Sequence, residues 1–196
     1  PYNQYSKECY DKMITATAKK GKEISIINTD DKYTLGEANW KVISVDNSSP
    51  KIENDEAIND TSIVIELEYK NTKYLFMGDA SSKIEENLLK NLSKVDVLKV
   101  AHHGSNKSTS NEFLKRVKPK YSIISVGKNS YNHPDNRVIK RLEDIKTEIY
   151  TTQDNGTIWI TSNGEFVKLE ILDCNVDGAN RKVSYMEGRN ALCIII

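Results

Sequence analysis

The stretch Asp96-Val97-Leu98-Lys99-Val100-Ala101-His102-His103-Gly104-Ser105 decides how the chain reads. Its run of branched apolar residues predicts a buried strand that ends in two adjacent imidazoles, a glycine and a hydroxyl. The chain has three histidines in all. The third, His133, lies in Asn129-Ser130-Tyr131-Asn132-His133-Pro134, just past another apolar strand, Ser122-Ile123-Ile124-Ser125-Val126. A third strand, Tyr74-Leu75-Phe76-Met77, ends in Gly78-Asp79-Ala80. Three strand ends therefore carry an aspartate and every histidine of the chain. Such ends are where α/β proteins place their chemistry, because a rigid scaffold there supports variable loops.

Outward from this centre the periodicity alternates between strand and helix. Ile84, Leu88, Leu89 and Leu92 recur at helical spacing behind an N-cap at Ser81 or Ser82, with Glu85 and Glu86 in the first turns. Ser108-Thr109-Ser110 caps a second helix that turns Phe113, Leu114 and Val117 inward and stops at Pro119. Pro134 begins a third, apolar at Val138, Ile139, Leu142 and Ile145. Upstream, residues 62–69 alternate, with Ile63, Ile65, Leu67 and Tyr69 on one face and Glu66 and Glu68 on the other. Lys70-Asn71-Thr72-Lys73 turns this strand into a hairpin with residues 74–77. Residues 5–20 read as a helix closed by Gly21, residues 23–28, 33–35 and 40–45 as short strands, and residues 46–61 as a surface loop. Downstream, residues 148–151, 157–161 and 165–172 read as strands separated by turns at 154–156 and 163–164. From Cys174 the sequence turns polar, then sharply apolar over Ala191–Ile196. That end packs on the body, pairs with a partner, or is foreign to the domain. The chain thus divides into a domain over residues 1–172 and an atypical tail over 173–196.

Composition bounds the function. With 196 residues, 38% apolar and 29% charged, the chain is expected to be soluble and to bury a core of its own. Lys plus Arg and Asp plus Glu balance at 28 each, so no bulk basic field draws it to nucleic acid. Cys9, Cys174 and Cys193 lie far apart, which argues against a disulfide framework and a zinc ribbon. No run of about eighteen apolar residues marks a membrane segment. The first residue is Pro1 rather than methionine, so a preceding segment is expected to have been removed.

Each candidate residue has a functional and a structural reading. Asp79 suits a hard metal ligand, or an N-cap for the helix after it. His102 and His103 leave a strand on opposite faces, so at most one naturally faces a metal seen by Asp79; the other supports the loop. His133 could hydrogen-bond a phosphate or donate a proton, or simply pack its loop. Ser105 is not a triad nucleophile, since no GxSxG elbow surrounds it.

Taken together, the order GDA, VAHHGS with STS just after it, SVGKNSYNHP and a Gln-Asp-Asn-Gly turn resembles the metallo-β-lactamase-fold hydrolases. Within them it is most similar to the hydrolase domain that ends the ComEC competence proteins and to their free-standing relatives. The likeness covers residues 5–172. It implies an αββα sandwich of the α/β class, of which this chain supplies the C-terminal half. It also implies that Asp79 bridges two divalent metal ions, zinc or manganese, that His102 or His103 is a late metal ligand, and that Asn129, Tyr131 and His133 reach the substrate phosphate beside Ser105. The chemistry implied is metal-assisted hydrolysis of a phosphodiester in DNA or nucleotides, with Asp79 and His133 as catalytic residues. The family's HxHxDH motif has no counterpart here, because no histidine precedes His102. Two or three ligands are too few for a binuclear site. The expectation is therefore a truncated hydrolase, with no metal held by this chain alone, or a catalytically silent binding module of the same fold. A doubly wound nucleotide-binding domain is disfavoured, since no GxGxxG or Walker loop follows any strand.

Overall fold

The computed structural model describes residues 7–47, 55–172 and 191–196. Its centre is a seven-stranded sheet in which each strand lies beside its neighbour in sequence. Strands β1 (Lys32–Leu35), β2 (Ala38–Ser44), β3 (Val64–Tyr69) and β4 (Thr72–Phe76) pair antiparallel. From β4 the sheet continues parallel through β5 (Val97–Lys99), β6 (Tyr121–Ile124) and β7 (Glu148–Thr151). Parallel neighbours need crossovers, and three helices supply them: α3 (Ser82–Leu88), α4 (Asn111–Val117) and α5 (Asn136–Asp144). Two further helices precede these, α1 (Lys7–Lys19) and the short α2 (Asp55–Asn59). The period change read after Asp79 is thus the start of the parallel half.

The two faces of the sheet bury different chemistry. Toward the helices lies an aliphatic core of Val64, Leu75, Met77, Leu98 and Ile124, met by Leu88, Phe113, Leu114, Val117, Val138 and Leu142. Burying each such side chain contributes about 1.5–3 kcal/mol. Toward the other face lie Tyr69, Tyr74, Val97, Tyr121 and Ile123, covered by Ile158, Ile160 and Val167. Those last residues belong to a three-stranded antiparallel sheet of β8 (Thr157–Ser162), β9 (Val167–Leu172) and β10 (Leu192–Ile195). The layering is helices, large sheet, small sheet. It agrees with the α/β sandwich expected from the sequence.

Local signals explain the element ends. Ser81 caps α3 and Ser110 caps α4 through their hydroxyls, and Lys118 closes α4 in the left-handed conformation. Asp135, rather than Pro134, caps α5.

Three expectations are corrected. Residues 23–28 form no strand, and Ile24 and Ile26 stay exposed because no ladder runs alongside them. Residues 46–61 are not wholly loop, because α2 lies within them and Asn59 and Asp60 hydrogen-bond to His102 and Ser81. The turn read at 154–156 is a short helix, α6 (Thr152–Asn155), capped by Thr151. The apolar end pairs with β8 as β10; residues 173–190 of the expected tail lie outside the described residues.

Candidate functional site

The parallel register puts the C-terminal ends of β4, β5 and β6 on one rim. Gly78 turns the chain out of β4 at φ 56°, and a side chain there would come within 2.8 Å of Ser62 Cβ. Asp79 follows, its backbone N–H donating to Ser62 Oγ at 3.0 Å. Beyond β5 the chain makes a tight turn over Ala101–Gly104, locked to β4's exit by the His102 N–H donating to the Gly78 carbonyl at 2.9 Å. Both histidines are left-handed, at φ 48° and φ 55°. Such backbone costs about 1–2 kcal/mol per non-glycine residue, so the surroundings must hold it.

The turn separates the two imidazoles. His103 Nδ1 lies 2.7 Å from the Ser125 carbonyl. A carbonyl only accepts, so Nδ1 donates and Nε2 is left to face Asp79 Oδ1 at 3.6 Å. A neutral ring thus sets a lone pair toward a carboxylate, an arrangement stabilised by a proton or a cation placed between them. His102 turns the other way, its Nε2 accepting from Asn59 Nδ2 at 3.4 Å. Its ring stands edge-on to His133, centroids 5.7 Å apart. Burial, outweighing the attraction of Asp79, lowers the pKa of His102 and so favours its neutral ring. Asp79 and all three histidines therefore share one rim, and the side chains of Asp79 and His103 remain open to solvent.

The other expected residues take distinct places. Ser105 is buried, its hydroxyl accepting from the Lys107 N–H within its own loop. Asn129 folds its amide into its loop: Oδ1 accepts from the Tyr131 and His133 N–H groups, and Nδ2 donates to the Gly127 and His133 carbonyls. Tyr131 is 78% exposed and stacks over His133 at 5.9 Å. Nδ1 of His133 is buried with no hydrogen-bond partner among the described residues. The two loops meet where a Gly104 Cβ would strike Pro134 at 2.7 Å and where the Asp135 N–H donates to the Gly104 carbonyl.

Four contributors escaped the sequence reading. Asn59 was hidden in a polar stretch indistinguishable from a solvated loop, and Ser62 stood at the start of the strand read over 62–69, where nothing marked its hydroxyl. Glu85 is wholly buried on α3 and accepts the Thr109 and Ser110 N–H groups, holding the loop after Gly104. Lys99, half-buried below Asp79's strand end, donates to the Val100 carbonyl, and burial lowers its pKa against the pull of Asp79. A lysine inside an otherwise apolar strand was the one available signal of the four.

The donors fit a divalent cation in kind, a carboxylate oxygen beside an imidazole Nε2 oriented by a carbonyl. They fall short in number: no group of three or more His, Cys, Asp or Glu that could hold a metal occurs among the described residues. Beside it, no helix of the described residues is long and apolar enough to cross a membrane.

The family model described as the metallo-beta-lactamase superfamily matches residues 56–128, a stretch that spans both Asp79 and the histidine doublet. The resemblance read from the sequence is thereby borne out. Among individual proteins, the chain is similar to ComE operon protein 3 of Bacillus subtilis, 32% identical over 152 residues, 76% of this chain and 19% of that protein. It is similar also to Recombination protein 2 of Haemophilus influenzae, 35% identical over 61% of this chain and 15% of that one. Competence protein ComA of Neisseria gonorrhoeae is 34% identical over 51% of this chain and 15% of its own length. The chain spans less than a fifth of the length of these relatives.

Proposed function

We propose that this chain is part of a metal-dependent hydrolase that cleaves phosphodiesters in DNA or nucleotides, in a protein concerned with DNA uptake. The observation that carries this reading is His103 Nε2 facing Asp79 Oδ1 at 3.6 Å, its ring fixed by the Ser125 carbonyl. Asp79 and His103 are the residues to hold a divalent ion, zinc or manganese, with His102 beside them; carboxylate plus imidazole suits either metal. A bound ion would lower the pKa of water and offset charge on a phosphoryl oxygen. His133, edge-on to His102, would hold the proton that a leaving oxygen takes, and the exposed ring of Tyr131 would meet substrate. The two relatives named for recombination and competence support DNA as the substrate.

A second reading, a silent binding module of the same fold, is favoured by the shortage of ligands among the described residues. Hydrolysis of bis(p-nitrophenyl) phosphate and metal content by mass spectrometry, on the natural polypeptide containing this chain, separate the two. Under the hydrolase reading Asp79→Ala loses at least about 100-fold in turnover while staying folded. His133→Ala slows turnover by about 100-fold with metal content intact. Retained activity in Asp79→Ala removes Asp79 from the site, loss of metal in His133→Ala makes His133 a ligand, and a wild type without metal uptake supports the binding module.

A further inference from the structure

The segment joining α2 to β3 touches both halves of the rim, and nothing in its sequence announces a role. Asn59 reaches His102 Nε2 at 3.4 Å, and Ser62 Oγ accepts the Asp79 N–H at 3.0 Å. Between them, Asp60 Oδ1 accepts the Ser81 N–H at 3.1 Å, tying the segment to the cap of α3. The segment is itself braced, since the Thr61 hydroxyl donates to the Ile58 carbonyl and the Ser62 N–H to the Asn59 carbonyl. Its fit is close: Gly78 has no room for a side chain because Ser62 occupies the space.

These contacts do different chemical jobs. An amide N–H₂ can only donate, so Asn59 makes His102 Nε2 an acceptor and puts the ring's proton on Nδ1. His103 is set independently in the same tautomer by the Ser125 carbonyl. Ser62 leaves the Asp79 carboxylate free, because it engages only that residue's backbone. The same short segment therefore fixes the protonation pattern of one imidazole and anchors the backbone that carries the carboxylate facing the other.

We infer that residues 59–62 are the positioning segment of this rim, with Asn59 selecting the His102 tautomer and Ser62 anchoring Asp79. The inference rests on the hydrolase reading for its consequence but not for its geometry. The test is long-range ¹H–¹⁵N imidazole spectroscopy of the full chain at about pH 8, where histidines are neutral. Wild type shows His102 with its proton on Nδ1. Asn59→Ala gives a mixture of tautomers, and Asn59→Asp, which can only accept, moves the proton to Nε2. A space-filling role predicts one unchanged tautomer in all three proteins, and that result overturns the inference. In the natural polypeptide, Asn59→Asp lowers kcat by about 10–100-fold, the usual effect of losing an orienting partner, with KM held within about twofold. Ser62→Ala speeds hydrogen exchange at the Asp79 amide; an unmoved exchange rate overturns the anchoring half. Tautomers that shift in a polypeptide without hydrolysis sink the hydrolase reading alone. Hydrolysis with unmoved tautomers sinks this inference alone.

Discussion

The loop after β5 and the loop after β6 perform the same task, holding an imidazole over a strand end, by opposite means. The first, residues 101–110, is held from outside. Glu85 on α3 accepts two of its N–H groups, and Arg141 on α5 donates to Asn106 and to the Ser108 carbonyl. Ala101, Gly104, Ser105, Ser108 and Thr109 are all buried. The second, residues 127–133, is exposed over most of its length and held from within by the Asn129 amide. It is fastened elsewhere at its ends, where Thr152 Oγ1 bonds both the N–H and the carbonyl of Val126 and where Asp135 meets Gly104. His102 and His103 are thus placed by the packing of the whole domain, and His133 by its own loop. Two left-handed residues in succession need the first kind of support, whereas the single half-buried ring of His133, stacked on Tyr131, does not.

The sharpest way to break this comparison is to remove Glu85. Glu85→Ala leaves the amide of buried Thr109 and that of half-buried Ser110 without acceptors, each costing about 1–3 kcal/mol. The expected loss is about 3 kcal/mol, read as a lower urea midpoint at constant slope, together with broadened His102 and His103 ring signals. A loss near zero would mean that the first loop holds itself, and the contrast would fail.

Asn129→Ala should behave in the other way. Water can replace the lost bonds on an exposed loop, so the global cost is under about 1 kcal/mol. Exchange at the Tyr131 and His133 amides nonetheless rises, because both donate to Asn129 Oδ1. Asn129→Asp, which keeps that acceptor and loses the two donated bonds, falls between wild type and alanine. A global loss as large as that of Glu85→Ala would show the second loop to be coupled to the core after all.

The contrast also separates what the sequence discloses from what it conceals. Strand ends were legible because apolar runs stop abruptly at Gly78-Asp79, His102-His103 and Gly127, and helix starts because Ser81 and Ser110 cap in the expected way. Convergence of Asp79 with the doublet followed from strand order. Which histidine faces Asp79 did not, because that depends on two positive φ angles and on a carbonyl 22 residues away. Glu85 was read as an acid suited to a helix's first turn, since burial of a carboxylate leaves no trace in periodicity when its partners are backbone amides. Residues 23–28 misled in the reverse sense. Alternating isoleucines signal a strand only if a neighbouring strand is there to pair with them.

Acid gives the smallest expected effect and tests the two loops against each other. Asp135 closes the second loop, capping α5 and taking a forked hydrogen bond from the Arg137 guanidinium, which lowers its pKa from the usual 3.8 to about 2. A carboxyl depressed on folding stabilises above its unfolded value and loses that contribution as pH falls from 3.8 toward 2. Glu85 runs with the opposite sign. Burial, its largest influence, raises its pKa against the pull of the Ser110 and Thr109 amides, so its linked contribution is greatest in acid and declines as pH rises through the folded value. Acid below pH 3.8 should therefore loosen the exit of the second loop while leaving the first in place. Wild type is expected to lose thermal stability below pH 3.8 faster than Asp135→Asn, with amide exchange rising first around His133 rather than around His102. Parallel pH profiles for the two proteins would show that the Arg137 fork does not form in solution. The second loop would then owe its closure to the Asp135 backbone bond to Gly104, and the two histidine-bearing loops would lean on each other more than either leans on its own brace.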